Sequence, residues 1–523
     1  MFIKILMLVL FFGVMIGVGI YCRRHATDVR GFVLGGRSVG PWLTAFAYGT
    51  SYFSAVIFIG YAGQFGWKYG IASTWIGLGN AFIGSLLAWV ILGRRTRIMT
   101  QHLDSSTMPE FFGKRFDSKG LKIGASIITF IFLIPYTASL YNGLSRLFEM
   151  AFGIPYIWCI VAMSILTGIY VIAGGYMATA INDFIQGIIM IIGIIAVIAA
   201  VLSSQGGFME ALNGLASVTD ESVSTTPGVF NSFFGPDPLN LFGVVILTSL
   251  GTWGLPQMVQ KFYAIKSEKD IKKGTIISTL FAVVVAGGCY FLGGFGRLFS
   301  DNPDVVAAVS QNNYDAIIPA MLSTLPEILI ALVVILVLSA SMSTLSSLVI
   351  ASSSTLTIDL LKDNIIKKMT EKKQVLIIRV FIVIFILISA LIAIYQYQES
   401  MNNSGNEAVK YIAQLMGVSW GALAGAFLAP FLYGLYWKKT TKLACWVSFI
   451  FGAGVMLLNM FFRSAFPAFL QSPINCGAFV MLAGLVIVPI VSLLSPKPQK
   501  ELVDSAFACY EKKVSAAQKN SLD

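Results

Sequence analysis

The chain has 523 residues, of which 56% are hydrophobic and only 12% are charged, against about 25% charged residues in an ordinary soluble domain. The hydrophobic residues fall in runs of about 20, the length that crosses about 30 Å of hydrocarbon. This composition excludes a soluble enzyme, a secreted disulfide-linked domain and a disordered regulator. It predicts a multi-pass membrane protein.

Thirteen apolar runs predict thirteen transmembrane helices, which we number span 1 to span 13. They cover residues 2–21, 42–62, 71–93, 121–150, 155–175, 178–203, 240–262, 274–296, 318–356, 374–396, 407–436, 441–464 and 473–495. Span 1 has no small-residue cleavage site, and basic residues follow it rather than precede it, so we interpret it as a retained helix and not as a signal peptide. The chain is therefore expected to be an all-α integral membrane protein.

Lysine and arginine are distributed unequally between the two sides of these spans. One side holds six of the 36 basic residues, namely Lys4, Lys68, Arg146, Arg297, Lys410 and Arg463. The other thirty lie on the opposite side, together with the tail at 497–523. Because loops rich in Lys and Arg stay in the cytoplasm, we predict a plasma-membrane protein with its N-terminus outside and its C-terminus cytoplasmic. The net charge of +11 is then a property of these loops and does not indicate a nucleic-acid partner.

Residues that usually hold cofactors are sparse. The six cysteines are scattered without a C-x-x-C pair, and only two histidines occur, so we predict neither a metal centre nor a disulfide framework. No G-x-x-x-x-G-K-[ST] phosphate loop is present, and no nucleophile–base pair indicates an enzyme. We expect transport without a cofactor, driven by an ion gradient.

Two spans carry interruptions. Span 2 reads LTAFAYGTSYFSAVIFIGY, with Gly49-Thr50-Ser51 near its middle, and span 7 reads FGVVILTSLGTWGLPQMVQKF. Pro256 in span 7 would break the backbone hydrogen bonding of the preceding turn. The interruptions lie five spans apart in helices of opposite direction, as two inverted repeats, spans 2–6 and 7–11, require. The alternative is that Gly and Pro are simply common in membrane helices.

Span 9 and span 6 contain polar residues that a membrane interior rarely tolerates. Six hydroxyls crowd into nine residues of span 9: Ser339, Ser341, Ser343, Thr344, Ser346 and Ser347. They indicate either close helix packing, with each hydroxyl bonded to its own helix, or a site for a hard cation such as Na⁺. Asp183 near the start of span 6 favours the cation site, since an intramembrane carboxylate is costly and usually functional. The alternative is an aspartate that satisfies the first helical turn.

Four segments resemble the sodium–solute symporters, the family of the proline, pantothenate, sialic acid and sodium–glucose carriers. The segment FVLGGRSVGPWLTAFAYGTSYFSAVIFIGYAGQFGWKYG is similar to the family's beginning, and GIYVIAGGYMATAINDFIQG is similar to its Y-x-x-x-GG segment followed by T-D-x-x-Q. The segments LGTWGLPQMVQKFYAIKS and SASMSTLSSLVIASSSTLTIDLLK resemble its seventh and ninth helices.

This resemblance implies a leucine-transporter-like fold and alternating access coupled to Na⁺. The chain would comprise a leading helix, two inverted five-helix repeats, two trailing helices and a cytoplasmic tail. Their predicted bounds are residues 1–22, 41–203, 240–436, 441–496 and 497–523.

The resemblance also implies two Na⁺ sites. The family's shared site would use the backbone carbonyls of Thr50, Phe53 and Ala340 with the hydroxyls of Ser343 and Thr344. A second site, found in some members, would fall on Asp183, Ser343, Ser346 and Ser347. All of these oxygens are present, so we predict two Na⁺ per transport cycle.

The sequence departs from the family pattern mainly at the solute pocket. The threonine of T-D-x-x-Q is Asn182, although the aspartate is kept as Asp183. The acidic residue that the proline carriers have in the broken second helix is Tyr52 here, and their aromatic residues in span 7 are replaced at Thr248 and Thr252. We therefore expect intact ion sites but not the proline carriers' pocket.

Spans 2, 3, 4, 7 and 11 should line the solute pocket around the breaks. The candidate residues are Tyr52, Ser54, Asn80, Tyr136, Tyr141, Asn142, Thr252, Trp253 and Gln257. Each could instead pack against or bridge helices. No acidic residue sits centrally to receive a cation, which favours a neutral, zwitterionic or monoanionic solute, namely an amino acid, a small carboxylate or a sugar derivative.

The leading hypothesis is a Na⁺–solute symporter whose partners are a small solute, Na⁺ and membrane lipid. A proton-coupled or uncoupled carrier of the same fold is the alternative within transport. A membrane sensor built on this scaffold is a third interpretation, which the short tail without a signalling domain disfavours. The oligomeric state stays open, with a monomer among the alternatives.

Overall fold

The structure is a computed structural model that describes residues 2–310, 314–323, 325–362, 366, 369–402 and 412–519. Over these residues the backbone is helical or in turns and loops, and its extended pairings are isolated bridges, Val39 with Ile265 and Asp220 with Ser224. The all-α prediction is confirmed.

Helices lie in each of the thirteen predicted spans. Spans 1 to 6 contain Phe2–Cys22; Pro41–Tyr52, Val56–Tyr61 and Ala62–Tyr69; Thr74–Gly79, Asn80–Leu87, Trp89–Gly93 and Arg94–His102; Lys119–Phe152; and, for spans 5 and 6 together, Tyr156–Ser204. Spans 7 to 13 contain Pro238–Leu250, Gly251–Trp253 and Pro256–Ala264; Glu268–Ala282, Val283–Gly287 and Gly288–Gly293; Glu327–Ser354 and Thr355–Leu361; Glu371–Asn402; Ile412–Tyr436; Lys442–Phe461; and Pro473–Leu494. The start of span 11, 407–411, and the end of the tail, 520–523, lie outside the described residues.

Ten helices of the described chain are long and apolar enough to cross a membrane, or eleven if the bent pair in span 7 counts as one. Two of the ten, Val56–His102 and Tyr156–Ser204, have 47 and 49 residues. Such lengths would reach about 70 Å as straight helices, more than twice the hydrocarbon thickness. Each contains a glycine in the left-handed region, Gly70 at φ 60° and Gly175 at φ 56°. The count of thirteen stays a prediction, and it requires the chain to reverse at these glycines.

Shorter helices occupy segments that lie between or beside the spans. They are Val29–Leu34, Met108–Arg115, Phe208–Ser217, Pro303–Ser310, Ile317–Ser323, Ala468–Gln471 and, in the tail, Lys500–Lys519. The predicted run 318–356 is therefore divided, because its first residues form a separate helix and the long helix begins only after Pro326. Proline at that position has no backbone N–H to donate to the preceding turn.

The long polar loop at 204–239 is also folded onto the helices. Ala211 and Leu215 pack with Phe230 and Phe295 in a small apolar cluster. Beside it, Arg297 pairs with Asp220 at 2.9 Å and lies 3.7 Å from the centre of the Phe230 ring. This loop therefore joins the ends of spans 2 and 8, since Arg297 also donates to the carbonyl of Trp67.

Span 9 lies at the centre of the bundle. Every residue from Val333 to Ser354 is buried, and the helix packs against spans 1, 2, 4, 5, 6, 7 and 10. The serine hydroxyls of this helix therefore face protein rather than lipid.

Spans 2 and 8 touch through their backbones at a pair of glycines. A Cβ added at Gly66 would overlap the carbonyl of Gly293, and one added at Gly293 would overlap the carbonyl of Ala62. Small residues allow this approach, and close packing of this kind holds membrane helices together where no hydrophobic effect operates between them.

We predict that Gly66→Ala destabilises the protein by about 1–3 kcal/mol, the usual cost of overpacking, because the carbonyl of Gly293 has no flexible end that could give way. The matched control is Gly13→Ala in span 1, where the added Cβ meets nothing within 4 Å. Thermal unfolding in detergent should show a lower midpoint for Gly66→Ala only. Equal midpoints would contradict the backbone contact between spans 2 and 8.

Candidate ion and solute site

The helix of span 2 is interrupted between Tyr52 and Val56. Phe53 has an extended backbone, with φ −82° and ψ 117°, so the carbonyls at the end of Pro41–Tyr52 lose their helical donors. After the break, the amide of Ala55 donates to the hydroxyl of Ser341 in span 9 at 3.3 Å. Span 9 thus supplies a partner to the broken backbone.

The five oxygens of the first predicted Na⁺ site converge at this break. The hydroxyl of Ser343 donates to the carbonyl of Thr50 at 2.9 Å and lies 3.2 Å from that of Ala340. The hydroxyl of Thr344 lies 3.1 Å from the carbonyl of Thr50, 3.3 Å from that of Phe53 and 3.1 Å from that of Ala340. The contributing residues are buried. Unwound backbone carbonyls at half-helix ends are the ligands that transporters offer to Na⁺.

The residues of the second predicted site surround a lysine. Lys261 of span 7 donates to the hydroxyl of Ser347 at 2.9 Å, and its Nζ lies 4.0 Å from Oδ2 of Asp183. Ser347 also lies 2.9 Å from the hydroxyl of Ser51. Ser346 and Ser343 adjoin them on the same helix, with the Ser346 hydroxyl donating to the Ser343 carbonyl.

Asp183 does not serve the first turn of its helix. It lies two turns beyond Gly175, the residue at which the helix Tyr156–Ser204 is kinked, and its carboxylate oxygens accept no hydrogen bond from the described residues. The neighbouring amide of Asn182 donates to the carbonyl of Met15 in span 1. The capping alternative is therefore wrong.

Lys261 is the residue that the sequence analysis missed here. It was counted among the basic loop residues because it ends an apolar run, whereas the structure buries its side chain to 2% exposure. The sequence feature that could have indicated a role for Lys261 is its position only five residues after Pro256, between one and two helical turns beyond a predicted break.

Several of the predicted solute-binding residues are engaged by other parts of the chain. Trp253 donates its indole N–H to the carbonyl of Ile83 at 3.0 Å, and Thr252 donates to that of Gly84 at 3.0 Å. Asn80 accepts a hydrogen bond from Ser249 at 3.1 Å, and Asn142 donates to Gln396 at 3.2 Å. These contacts join spans 3 and 7 and spans 4 and 10, as the structural alternative for these residues expects.

Four others carry buried polar atoms with no hydrogen-bond partner of normal geometry among the described residues. They are Tyr52, Ser54, Tyr136 and Gln257. The hydroxyl of Tyr136 lies beside Ser54 at the break of span 2. Tyr141 lies one to two turns further along span 4, beside Ser164. Buried polar groups of this kind usually find a partner.

Trp420 of span 11 is a further residue of this region that the sequence analysis did not name. Its ring stands perpendicular to that of Tyr136, with centroids 5.8 Å apart, and an added Cβ at Gly251 would lie 3.1 Å from it. Its indole N–H has no partner of normal geometry in the described chain. Trp420 therefore connects the breaks of spans 2 and 7. Its flanking small residues in GVSWGALAG were the available sign.

Span 7 is broken beside Trp420. Its first part ends in the turn Gly251–Trp253, Leu255 is extended, and Pro256 occupies the first position of the half-helix Pro256–Ala264. The two parts are bent by 41°. Pro256 begins the second half-helix where proline is tolerated, because the first N–H of a helix has no partner in any case.

Residues 32–452 match the Sodium:solute symporter family, and the chain belongs to this family. Its relatives include the osmoregulated proline transporter OpuE of Bacillus subtilis, 28% identical over 95% of this chain and 96% of the relative. The sodium/proline symporter of Escherichia coli is 28% identical over 84% of each chain.

Among solved structures, the chain is similar to the substrate-bound outward-open state of a Na⁺-coupled sialic acid symporter. The TM-score is 0.73 at 17% identity, covering 96% of this chain and 99% of that one. The chain therefore has the leucine-transporter-like fold. It is a multi-pass membrane protein that carries a solute together with Na⁺, and it is a transporter rather than an enzyme.

We predict that Thr344→Val, which keeps the side-chain shape and removes the hydroxyl, lowers the apparent Na⁺ affinity about tenfold, or 1.4 kcal/mol. The hydroxyl contacts three carbonyls of the cluster at once. The control is Ser353→Ala, whose hydroxyl donates to Val349 in its own helix. Thermal unfolding against NaCl, with choline chloride at equal ionic strength, measures both. An unchanged Na⁺ dependence in Thr344→Val would exclude this cluster as the Na⁺ site.

Proposed function

We propose that the protein cotransports Na⁺ with a small solute that carries a carboxylate, such as an amino acid, a small organic acid or an acidic sugar derivative. The main observation in support of this proposal is the pair of half-helices that begin at the two breaks, Val56–Tyr61 and Pro256–Ala264. Their amino-terminal ends meet a region of buried polar groups, of which the Tyr52 hydroxyl and the Gln257 amide have no hydrogen-bond partner among the described residues. A carboxylate there would satisfy charge and hydrogen bonding together.

The electrostatics of the breaks support this pairing. The amino-terminal end of a helix carries a partial positive charge and its carboxyl-terminal end a partial negative charge. Pro41–Tyr52 and Pro238–Leu250 end at the breaks, and the second half-helices start there. At each break, the negative end of the first helix therefore suits Na⁺ and the positive end of the second suits an anionic group. Broken helices provide this arrangement in secondary transporters.

The side chains at the breaks support a solute with further polar and apolar parts. Ser54, Tyr52 and Gln257 offer hydroxyl and amide groups, and the rings of Tyr136 and Trp420 offer an apolar wall. The relatives are named for proline and the structural neighbour for sialic acid, and both of these solutes are carboxylic acids. Tyr52 and Thr252 replace residues of the proline carriers, so the solute of this protein need not be proline.

The Na⁺ that accompanies the solute would bind to Thr50, Phe53, Ala340, Ser343 and Thr344. The two inverted repeats would span residues 41–203 and 240–436, since each begins with a broken span. All of the proposed ligands lie on one chain, so a monomer would be sufficient for transport. The protein would lie in the plasma membrane with its N-terminus outside and its tail in the cytoplasm, in line with the distribution of Lys and Arg.

We expect solutes with a carboxylate to stabilise the protein in NaCl and their amides to bind at least about tenfold more weakly, a difference of 1.4 kcal/mol. Pairs such as proline and prolinamide, or an organic acid and its amide, provide the comparison. Thermal unfolding identifies a ligand, since binding to the folded state raises its stability. Transport of that ligand is then measured as uptake into proteoliposomes under a Na⁺ or K⁺ gradient.

Gln257→Ala should weaken binding of that ligand, whereas Gln205→Ala, in a loop after span 6, should not. Na⁺-dependent uptake of an uncharged sugar, with no response to any acid, would contradict the carboxylate proposal while leaving Na⁺ coupling intact.

The proposed orientation can be measured by cysteine labelling, because all six native cysteines are buried. Lys439→Cys and Glu221→Cys each place a thiol at an exposed position in a loop. In intact cells, a membrane-impermeant maleimide should label Glu221→Cys and leave Lys439→Cys unlabelled until the cells are opened. The reverse pattern would invert the topology.

A further inference from the structure

Lys261 and Asp183 form a buried pair inside the second predicted Na⁺ site. Their side chains are 2% and 1% exposed, and Nζ lies 4.0 Å from Oδ2. The same amine donates to Ser347 at 2.9 Å and lies 5.0 Å from the centre of the Tyr176 ring. The lysine thus reaches two of the four residues that the second site would use.

This amine stands where a second Na⁺ would need its ligands. The Ser347 hydroxyl accepts a hydrogen bond from Lys261 and also lies 2.9 Å from the hydroxyl of Ser51. Asp183 is the one ionisable residue among the four predicted ligands, and its carboxylate lies 4.0 Å from the amine of Lys261.

The charges of the two groups also balance. A carboxylate and an ammonium in a buried site sum to zero, and an added Na⁺ would leave the site with a net positive charge. Two like charges repel strongly where little water screens them. Among the described residues, Asp183 and Lys261 form no other ion pair.

We propose that the ammonium of Lys261 is the tethered cation of the Asp183 site, so that this protein binds and carries one Na⁺ per cycle, at the Thr50–Thr344 cluster. This inference rests on the proposed function and replaces the sequence-based prediction of two Na⁺. Lys261 would supply to Asp183 and Ser347 the positive charge that a second ion supplies when these residues bind one.

The stoichiometry sets how far the solute can be concentrated. One charge moved across 100 mV supports about 50-fold accumulation of a neutral zwitterion, whereas two charges support more than about a thousandfold. The replacement of an ion by a side chain therefore limits the gradient that this transporter can build from the membrane potential.

The first measurement counts Na⁺ on the wild-type protein. Equilibrium binding of ²²Na⁺ to purified protein, at saturation and per mole of folded chain, should give one ion. Two ions would overturn this inference and leave the proposed function standing. No saturable Na⁺ binding would overturn the proposed function itself.

The second measurement uses Lys261→Met, which keeps most of the side-chain length and removes the charge. It should bind two Na⁺, and the double variant Lys261→Met with Asp183→Asn should return to one. Lys266→Met, at an exposed lysine in the following loop, is the control and should bind one. A single ion on folded Lys261→Met would overturn the inference. If that variant does not fold, the wild-type count decides.

Discussion

The break of span 2 imposes the requirement on which the rest of the structure depends. Where a membrane helix unwinds, its carbonyls lose their helical donors, and each unsatisfied backbone group in hydrocarbon costs several kcal/mol. The carbonyls of Thr50 and Phe53 are satisfied by Ser343 and Thr344 of span 9. The hydroxyl-rich stretch of span 9 is therefore needed for the fold before any ion is considered, and the same oxygens then suit Na⁺.

This requirement also explains why span 9 is buried in the middle of the bundle. A helix with so many hydroxyls would be a poor neighbour for lipid, and it packs instead against the broken helices and their supports. Ser341 caps the far side of the same break by accepting from the amide of Ala55. One helix thereby satisfies both ends of the interruption and fixes the position of the oxygens predicted to bind Na⁺.

The carboxyl-terminal part of the second half of span 7 is held by two cationic side chains. Lys261 binds it to spans 6 and 9 through Ser347 and Asp183, and Arg97 donates to the carbonyl of Ile265 just beyond its end at 2.6 Å. Breaking a buried ion pair typically costs about 3–5 kcal/mol. A conformational change that moves this half-helix must therefore replace these contacts with others. Lys261 is thus both the electrostatic partner of Asp183 and a restraint on the position of the half-helix.

The sequence by itself determined the class of protein, the helices and one cluster of candidate Na⁺ ligands. Runs of apolar residues mark membrane helices because the bilayer admits little else, and the four motifs indicated the family and the five oxygens of the first predicted Na⁺ site. The sequence could not assign Lys261, Trp420 or the true partner of Asp183, because these depend on which faces of distant helices meet. Lys261 is indistinguishable from a loop lysine until span 7 is packed against spans 6 and 9. Only the tertiary structure places the amine of Lys261 among the residues predicted for a second Na⁺, since burial and a 4.0 Å approach between residues far apart in the chain are properties of packing.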